Sequence, residues 1–124
     1  MINLRPYQHK ALAAIDAALS RGVRRQAVQM PTGAGKTVVF AELLRRRQHI
    51  GPALVLAHRD ELVQQAVDKI GQVAPDLICG VVKAERNETG YAVTVASVQT
   101  LARQKRLDAI VNAGPYATVI ADEA

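Results

Sequence analysis

With 124 residues, 49% of them hydrophobic, the chain has room for one compact domain with a real core, which excludes a multidomain machine and a disordered tail. A single cysteine cannot form an internal disulfide, the first residues lack the apolar segment of a secretory leader, and no apolar run approaches the roughly 18 residues of a membrane helix, so we expect a cytoplasmic protein. Sixteen basic against eleven acidic side chains give a net charge of +5, which suits a polyanionic partner but does not distinguish nucleic acid from an acidic protein.

The first predicted element is an amphipathic helix that starts at Pro6 and ends before Gly22. Proline is favoured at the first helical position, and glycine is favoured just past a helix end. Leu12, Ile15 and Leu19 share one face of this helix. That face predicts one side packed against the rest of the domain.

Short apolar runs and helical segments then alternate along the chain. Strands are predicted from five such runs, at 26–30, 53–57, 78–82, 91–96 and 118–121. Helices are predicted at 36–49 and 60–73, between the first three strands. This alternation predicts an α/β fold, a parallel doubly wound sheet flanked by helices, with its ligand beyond the carboxyl ends of the strands.

The segment MPTGAGKT, at 30–37, lies between a predicted strand and a predicted helix, which is the context that a phosphate-binding loop requires. Gly33 and Gly35 let the backbone present N–H groups to phosphate oxygens. Lys36 can reach the β- and γ-phosphates, and the Thr37 hydroxyl can ligate Mg²⁺. Methionine replaces the first glycine of the GxxxxGKT pattern, so an ordinary glycine turn remains the alternative. We expect the nucleotide to be bound by Thr32, Gly33, Ala34, Gly35, Lys36 and Thr37.

A pair of acids, Asp122 and Glu123, follows an apolar strand in the segment TVIADE. A P-loop nucleotidase needs one carboxylate to hold the Mg²⁺ shell and another to orient or deprotonate water, and this pair supplies both. Such a pair is usually a solvated loop, but a phosphate-binding loop upstream favours a nucleotide site. A nucleotide and Mg²⁺ are therefore the expected ligands.

Five motifs, in order, resemble the first RecA-like domain of the superfamily-2 helicases and translocases of the DEAD/DEAH type, over essentially the whole chain. They are LRPYQ at 4–8 for the adenine-side motif, MPTGAGKT for motif I, VLAHRDELVQQ at 55–65 for motif Ia, VASVQTL at 95–101 for a further nucleic-acid-contact motif, and ADEA at 121–124 for the start of motif II. The similarity is greatest to the DNA-directed branch with type III restriction subunits and repair translocases. The RNA-directed branch would show PTREL-like and TPGR-like segments, which are not found.

The resemblance implies roles for the matching residues before and after the loop. Arg5 and Gln8 would contact the adenine, through stacking and paired hydrogen bonds, with an exposed polar pair at a helix start as the alternative. His58 and Arg59 would approach the phosphodiester backbone, where arginine supplies a charge-assisted bond. Ordinary loop and capping residues are the alternative for this second pair.

Other residues with polar, basic or thiol side chains lie in the VASVQTL segment, in the helix predicted at 36–49 and in an apolar run. Ser97, Gln99 and Thr100 have hydroxyl and amide groups suited to holding phosphates without reading bases, and a helix N-cap at Ser97 is the competing explanation. Three adjacent arginines at 45–47 point around a helix and are interpreted as a solvated helix end, not a nucleic-acid site. Cys79, in an apolar run, is interpreted as a buried small hydrophobe.

The resemblance implies an ATP-dependent helicase or translocase that acts on nucleic acid, DNA in preference to RNA, and that hydrolyses ATP with Mg²⁺ to move along the strand. Lys36 and the Mg²⁺ held through Thr37 and Asp122 would bind the triphosphate, and Glu123 would activate water. The alternatives are a P-loop ATPase that is not coupled to nucleic acid and a short nucleotide- or DNA-binding module without turnover. Partner subunits for restriction or repair are not specified.

Family topology also implies that residues 1–124 form the N-terminal part of the first RecA-like domain. The strand with motif III and a second RecA-like domain with an arginine finger would lie beyond residue 124. We therefore expect this piece by itself to be poorly soluble, because its sheet would have unpaired edges, and to hydrolyse ATP negligibly.

Overall fold

Helices and strands alternate along most of the chain, as the sequence predicts. The computed structural model describes residues 4–28, 35–83, 86–88, 91–104, 107–112 and 114–122. These residues form five helices, α1 Pro6–Ser20, α2 Lys36–Arg47, α3 Asp60–Val73, α4 Val98–Gln104 and α5 Leu107–Asn112. They also form five strands, β1 Ala53–Ala57, β2 Cys79–Lys83, β3 Arg86–Asn87, β4 Val93–Ser97 and β5 Thr118–Asp122.

The strands form one sheet in the order β3-β2-β4-β1-β5. Strands β2, β4, β1 and β5 run parallel, and the short β3 pairs antiparallel with β2 at one edge. The predicted parallel sheet is therefore confirmed. Ala57 of β1 is in register with Ser97 of β4 and with Asp122 of β5, so the segments that follow these strands leave the sheet at the same edge.

Helices cover both faces of the sheet. Val55 of β1 packs among side chains of α2 and α3, whereas the neighbouring Leu54 packs on the other face with Ile110 of α5. Successive strand residues point to opposite faces, so a strand that is apolar on both sides must be covered twice. Helix α1 packs beside α2 through the buried Leu12. Because helices cover both faces of the sheet, the predicted ligand site is left at its carboxyl edge.

The predicted helices are largely confirmed. Helix α1 begins at Pro6 and is followed by Gly22, whose φ of +85° is the left-handed conformation that glycine favours past a helix end. Helix α3 has the predicted bounds, and α2 ends two residues before the predicted 49. Of the described helices, none has the length and apolar character that crossing a membrane requires.

The strand predicted at 26–30 is wrong for its described part. Residues 23–28 are exposed and have no regular secondary structure, and residues 29–30 lie outside the described residues. A cleft of about 980 Å³ lies between this segment and β5, whose Val119 is 56% exposed. The apolar run has strand propensity, but a strand also needs a neighbour at hydrogen-bonding distance, and the cleft separates it from β5.

Helices α4 and α5 lie where no helix is predicted. They have seven and six residues, which is too short for an apolar stripe to repeat over several turns. Tertiary contacts stabilise them instead, because Ile110 is buried against the sheet and Leu101 packs beside it. These helices cover the face of the sheet opposite α2 and α3.

The arginines at the end of α2 are held by neighbouring groups, so solvation alone does not explain that helix end. The buried Glu42 accepts hydrogen bonds from Arg45 Nε at 2.7 Å, Arg45 Nη2 at 2.6 Å and Arg46 Nε at 2.8 Å. The hydrogen bond from Arg45 is the main reason that the pKa of Glu42 lies below its usual value. Arg47 donates to Thr118 Oγ1 at 2.8 Å, and thereby ties α2 to the start of β5.

Cys79 lies on β2, half-buried against the main core. Burial raises the pKa of its thiol, so the unreactive protonated form is favoured. This placement agrees with its interpretation as a small hydrophobe.

Candidate nucleotide and nucleic-acid site

The described site residues lie at the start of α2 and at the carboxyl edge of the sheet. Lys36 and Thr37 are the first two residues of α2, and Asp122 ends β5. His58 and Arg59 follow β1, and they are exposed. Thr32, Gly33, Ala34 and Glu123 lie outside the described residues, so their predicted roles stay predictions.

Gln8 links α1 to Gly35, the last glycine of the predicted phosphate-binding loop. Its side chain is only 5% exposed, its Oε1 accepts a hydrogen bond from the Arg5 N–H at 2.8 Å, and its Nε2 donates to the Gly35 carbonyl oxygen at 3.4 Å. Since buried amides need partners for both ends, these contacts orient the side chain. The alternative of an exposed polar pair fits Arg5, which is exposed, but it does not fit Gln8.

Gly35 occupies a position where any side chain is disfavoured for two reasons. Its φ of +72° and ψ of +41° are left-handed, and its carbonyl oxygen accepts the Val38 N–H at 3.0 Å, so it opens α2 without a side-chain cap. A Cβ at this position would lie 2.6 Å from Gln8 Nε2. The last glycine of the motif therefore serves both the turn and the close approach of α1.

Replacing Gly35 with alanine is expected to lower the free energy of unfolding by about 1–2 kcal/mol. The left-handed backbone conformation is unfavourable for alanine, and the added Cβ would displace the Gln8 side chain. We expect nucleotide affinity to fall as well. Thermal melting and titration with Mg-ATP measure the two effects. Gly71→Ala is the matched control, because Gly71 lies within α3 with open space at its Cβ position, and there alanine should be neutral or stabilising. Equal melting and equal affinity of the two variants would contradict the expectation.

The residue types at this site fit a nucleotide with its magnesium ion. Hydroxyl and carboxylate oxygens, which Thr37 and Asp122 supply, are the donors that Mg²⁺ prefers. Lys36 lines the same cleft as residues 118–121 of β5, so the start of α2 and the strand that ends in Asp122 face one space. When bound, Mg²⁺ would offset negative charge on the phosphate oxygens.

The segments after β1 and β4 contact each other. The Thr100 hydroxyl donates to Asp60 Oδ1 at 2.8 Å, and the Asp60 N–H donates to Gln99 Oε1 at 3.4 Å. The Thr100 N–H donates to Ser97 Oγ at 3.2 Å. Register explains the proximity, because Ala57 and Ser97 are partners, and Asp60 and Thr100 each lie three residues further on.

The predicted phosphate-holding residues divide into two groups. Gln99 is exposed, whereas Ser97 and Thr100 are both 0% exposed. Ser97 accepts a hydrogen bond from the third residue of α4, so the N-cap explanation describes its side chain. The hydroxyls of Ser97 and Thr100 therefore do not reach the surface in this structure. Asp60 is absent from the predicted site, because an acid in the first turn of a helix is ordinarily explained by the helix dipole.

Residues 1–124 match the family model described as type III restriction enzyme, res subunit. The chain belongs to this family. The expected resemblance to the RecA-like domain of superfamily-2 helicases is thereby confirmed, and the domain is of the ATP-dependent helicase type.

Two yeast proteins, both with names that describe ATP-dependent helicases, are similar to this member of the family. The irc3 protein of Schizosaccharomyces pombe, whose name adds a mitochondrial location, is 35% identical over 111 residues, covering 86% of this chain and 18% of the relative. IRC3 of Saccharomyces cerevisiae is 36% identical over 111 residues, covering 82% of this chain and 16% of the relative. The chain thus spans less than a fifth of the length of these relatives.

A solved structure shares the fold at low sequence identity. The SWI2/SNF2 ATPase core of Sulfolobus solfataricus, solved in complex with double-stranded DNA, superposes with a TM-score of 0.70 at 17% identity. The match covers 97% of this chain and 31% of that chain. Because so little sequence is shared, the likeness shows the RecA-like fold alone.

Proposed function

We propose that this chain is the ATP-binding part of an ATP-dependent DNA helicase or translocase, which hydrolyses ATP with Mg²⁺ to move along the strand. The contact between Gln8 and Gly35 carries the proposal, because it joins the adenine-side segment to the phosphate-binding loop. A segment for the adenine and a loop for the phosphates that contact each other suit one nucleotide. The buried position of Gln8 supports a role beyond that of a surface amide.

Each polar residue of the proposed nucleotide site has a separate task. Lys36 would place its ammonium group against the β- and γ-phosphates, and Thr37 and Asp122 would hold Mg²⁺. Glu123 would take a proton from the attacking water as the new P–O bond forms and the bond to ADP breaks. Arg5, exposed beside Gln8, would stack on the adenine.

On the nucleic-acid side, contact with the phosphate backbone is favoured over base reading. His58 and Arg59 are exposed at the carboxyl end of β1, and Gln99 lies beside them after β4. Aromatic residues make up 3% of the sequence, which leaves few candidates for stacking on bases. Preference for DNA rests on the AHRDEL segment, which stands where the RNA-directed branch would show a PTREL-like segment.

Stimulation of ATP hydrolysis by nucleic acid tests the proposal in the whole protein. We expect DNA to raise the rate of ATP hydrolysis by about tenfold or more, and RNA to raise it less. We expect Arg59→Ala to lower the slope of log DNA affinity against log salt concentration by about one, because one phosphate contact is lost. Arg21→Ala, which removes another exposed arginine, is the matched control and should change neither quantity.

Other outcomes favour the alternatives. Equal stimulation by RNA and DNA would remove the DNA preference. ATP hydrolysis without response to either polymer would indicate a P-loop ATPase uncoupled from nucleic acid. Nucleotide binding without turnover would indicate a binding module.

A further inference from the structure

Two segments at the carboxyl edge of the sheet are joined by side-chain hydrogen bonds. One segment follows β1 and holds His58, Arg59 and Asp60, and the other follows β4 and holds Gln99 and Thr100. The Thr100 hydroxyl donates to Asp60 Oδ1 at 2.8 Å, and Gln99 Oε1 accepts the Asp60 N–H at 3.4 Å. These contacts join residues 40 and 39 positions apart in the chain.

The hydrogen bond between Thr100 and Asp60 is expected to be stable. Thr100 is 0% exposed, so its hydroxyl has no access to solvent. A bond to a carboxylate is stronger than one between neutral groups. The carboxylate of Asp60, the first residue of α3, accepts this bond from the neighbouring helix α4, and the N-cap residue Arg59 makes no side-chain capping hydrogen bond. The geometry thus favours one relative position of the two segments.

We propose that Asp60 and Thr100 are positioning residues that hold the exposed His58 and Arg59 in place relative to Gln99, so that both segments bind the same stretch of phosphate backbone. The inference rests on the proposed nucleic-acid function. Neighbouring strands lie about 4.8 Å apart, which is close enough for two adjacent segments to contact the same few nucleotides. Loss of the connection weakens binding because the two segments must then be ordered when the strand binds.

Thr100→Val tests the proposal, since valine keeps the shape of threonine and removes the hydroxyl. In the whole protein we expect the DNA concentration for half-maximal ATPase stimulation to rise about five- to tenfold, with the KM for ATP in the absence of DNA changed less than about twofold. Asp60→Ala should have a similar effect, and the double variant should be no worse than the poorer single variant, because both changes remove the same bond. Thr100→Ser keeps the hydroxyl and should restore stimulation.

Thr94→Val is the matched control. Thr94 is a buried threonine on β4, and within the described part of the chain its Oγ1 has no hydrogen-bond partner. The same chemical change there should leave half-maximal stimulation unaltered. Thermal melts of every variant separate loss of positioning from unfolding. If Thr100→Val does not fold, Asp60→Ala against Asp60→Asn makes the same comparison, because asparagine keeps an acceptor oxygen.

Distinct results overturn the inference. Equal behaviour of Thr100→Val and Thr94→Val, additive effects in the double variant, or an equal loss of ATP affinity without DNA would each remove the positioning role. An unmodified protein whose ATPase does not respond to DNA would overturn the proposed function and the inference together. A responsive unmodified protein with an unaffected Thr100→Val variant would overturn the inference alone.

Discussion

Replacing Lys36 with alanine lowers the DNA-stimulated ATPase of the whole protein by about a hundred- to a thousandfold, as expected for loss of one charged group that stabilises the transferring phosphate. Lys36 is the first residue of α2 and directly follows the left-handed Gly35. Its side chain therefore extends from the end of the loop that is expected to bind the phosphates. Steady-state hydrolysis at saturating DNA measures this loss. The stabilisation of the protein by Mg-ATP in a thermal melt should shrink in parallel, since that shift depends on nucleotide affinity.

Lys10→Ala is the control for this substitution. Lys10 is exposed on α1, so removing it changes the net charge equally without changing the start of α2. We expect its ATPase rate and its thermal shift to match those of the unmodified protein. A Lys36→Ala variant that hydrolyses ATP as fast as the Lys10→Ala variant would remove Lys36 from the nucleotide site.

Replacing Glu123 with glutamine should lower hydrolysis by about 10²–10⁴-fold while Mg-ATP binding is retained. Glutamine keeps the size and the hydrogen-bonding oxygen of glutamate, but it cannot accept the proton of the attacking water. A single-turnover measurement of hydrolysis and a separate titration of nucleotide binding distinguish the chemical step from affinity.

Asp122→Asn separates the tasks of the two acids. If Asp122 holds the Mg²⁺ shell, its variant should bind Mg-ATP more weakly, whereas the Glu123→Gln variant should bind it normally and fail to hydrolyse it. Weakened binding in both variants would show that the acids act together on the metal. Normal hydrolysis by Glu123→Gln would exclude Glu123 as the general base.

The elements whose signals are local are predictable from the sequence. Helix α1 has proline at its first position and glycine just past its end, and α3 has a repeating apolar face, so the sequence predicts both with nearly correct bounds. The sequence prediction is wrong at 26–28, where apolar residues have strand propensity but, among the described residues, the cleft before β5 leaves them without a partner strand. Helices α4 and α5 were missed because each spans too few turns for a periodic pattern.

The candidate site likewise contains residues that the sequence predicts and residues whose contacts depend on tertiary packing. Gly35 was recognised from its motif, because a turn into a helix that presents backbone N–H groups needs glycine at that position. The burial of Gln8 against Gly35 could not be predicted from local pattern, since the two residues are 27 positions apart. Ser97 and Thr100 carry hydroxyls that suit phosphate binding in any exposed loop, and only their burial distinguishes a cap and an internal hydrogen bond from a contact surface.

The sequence by itself determined the alternation of strands and helices, the glycine turn that begins α2 at Gly35 and the position of Asp122 at a strand end, because periodicity, capping and turn chemistry act over a few residues. Tertiary structure alone decided that Gln8 lies against the loop, that Glu42 pairs with Arg45 and Arg46 inside a helix end, and that Asp60 meets Thr100 across two strands. Strand register and burial set these contacts. Both depend on how distant segments pack together, which no short stretch of sequence specifies.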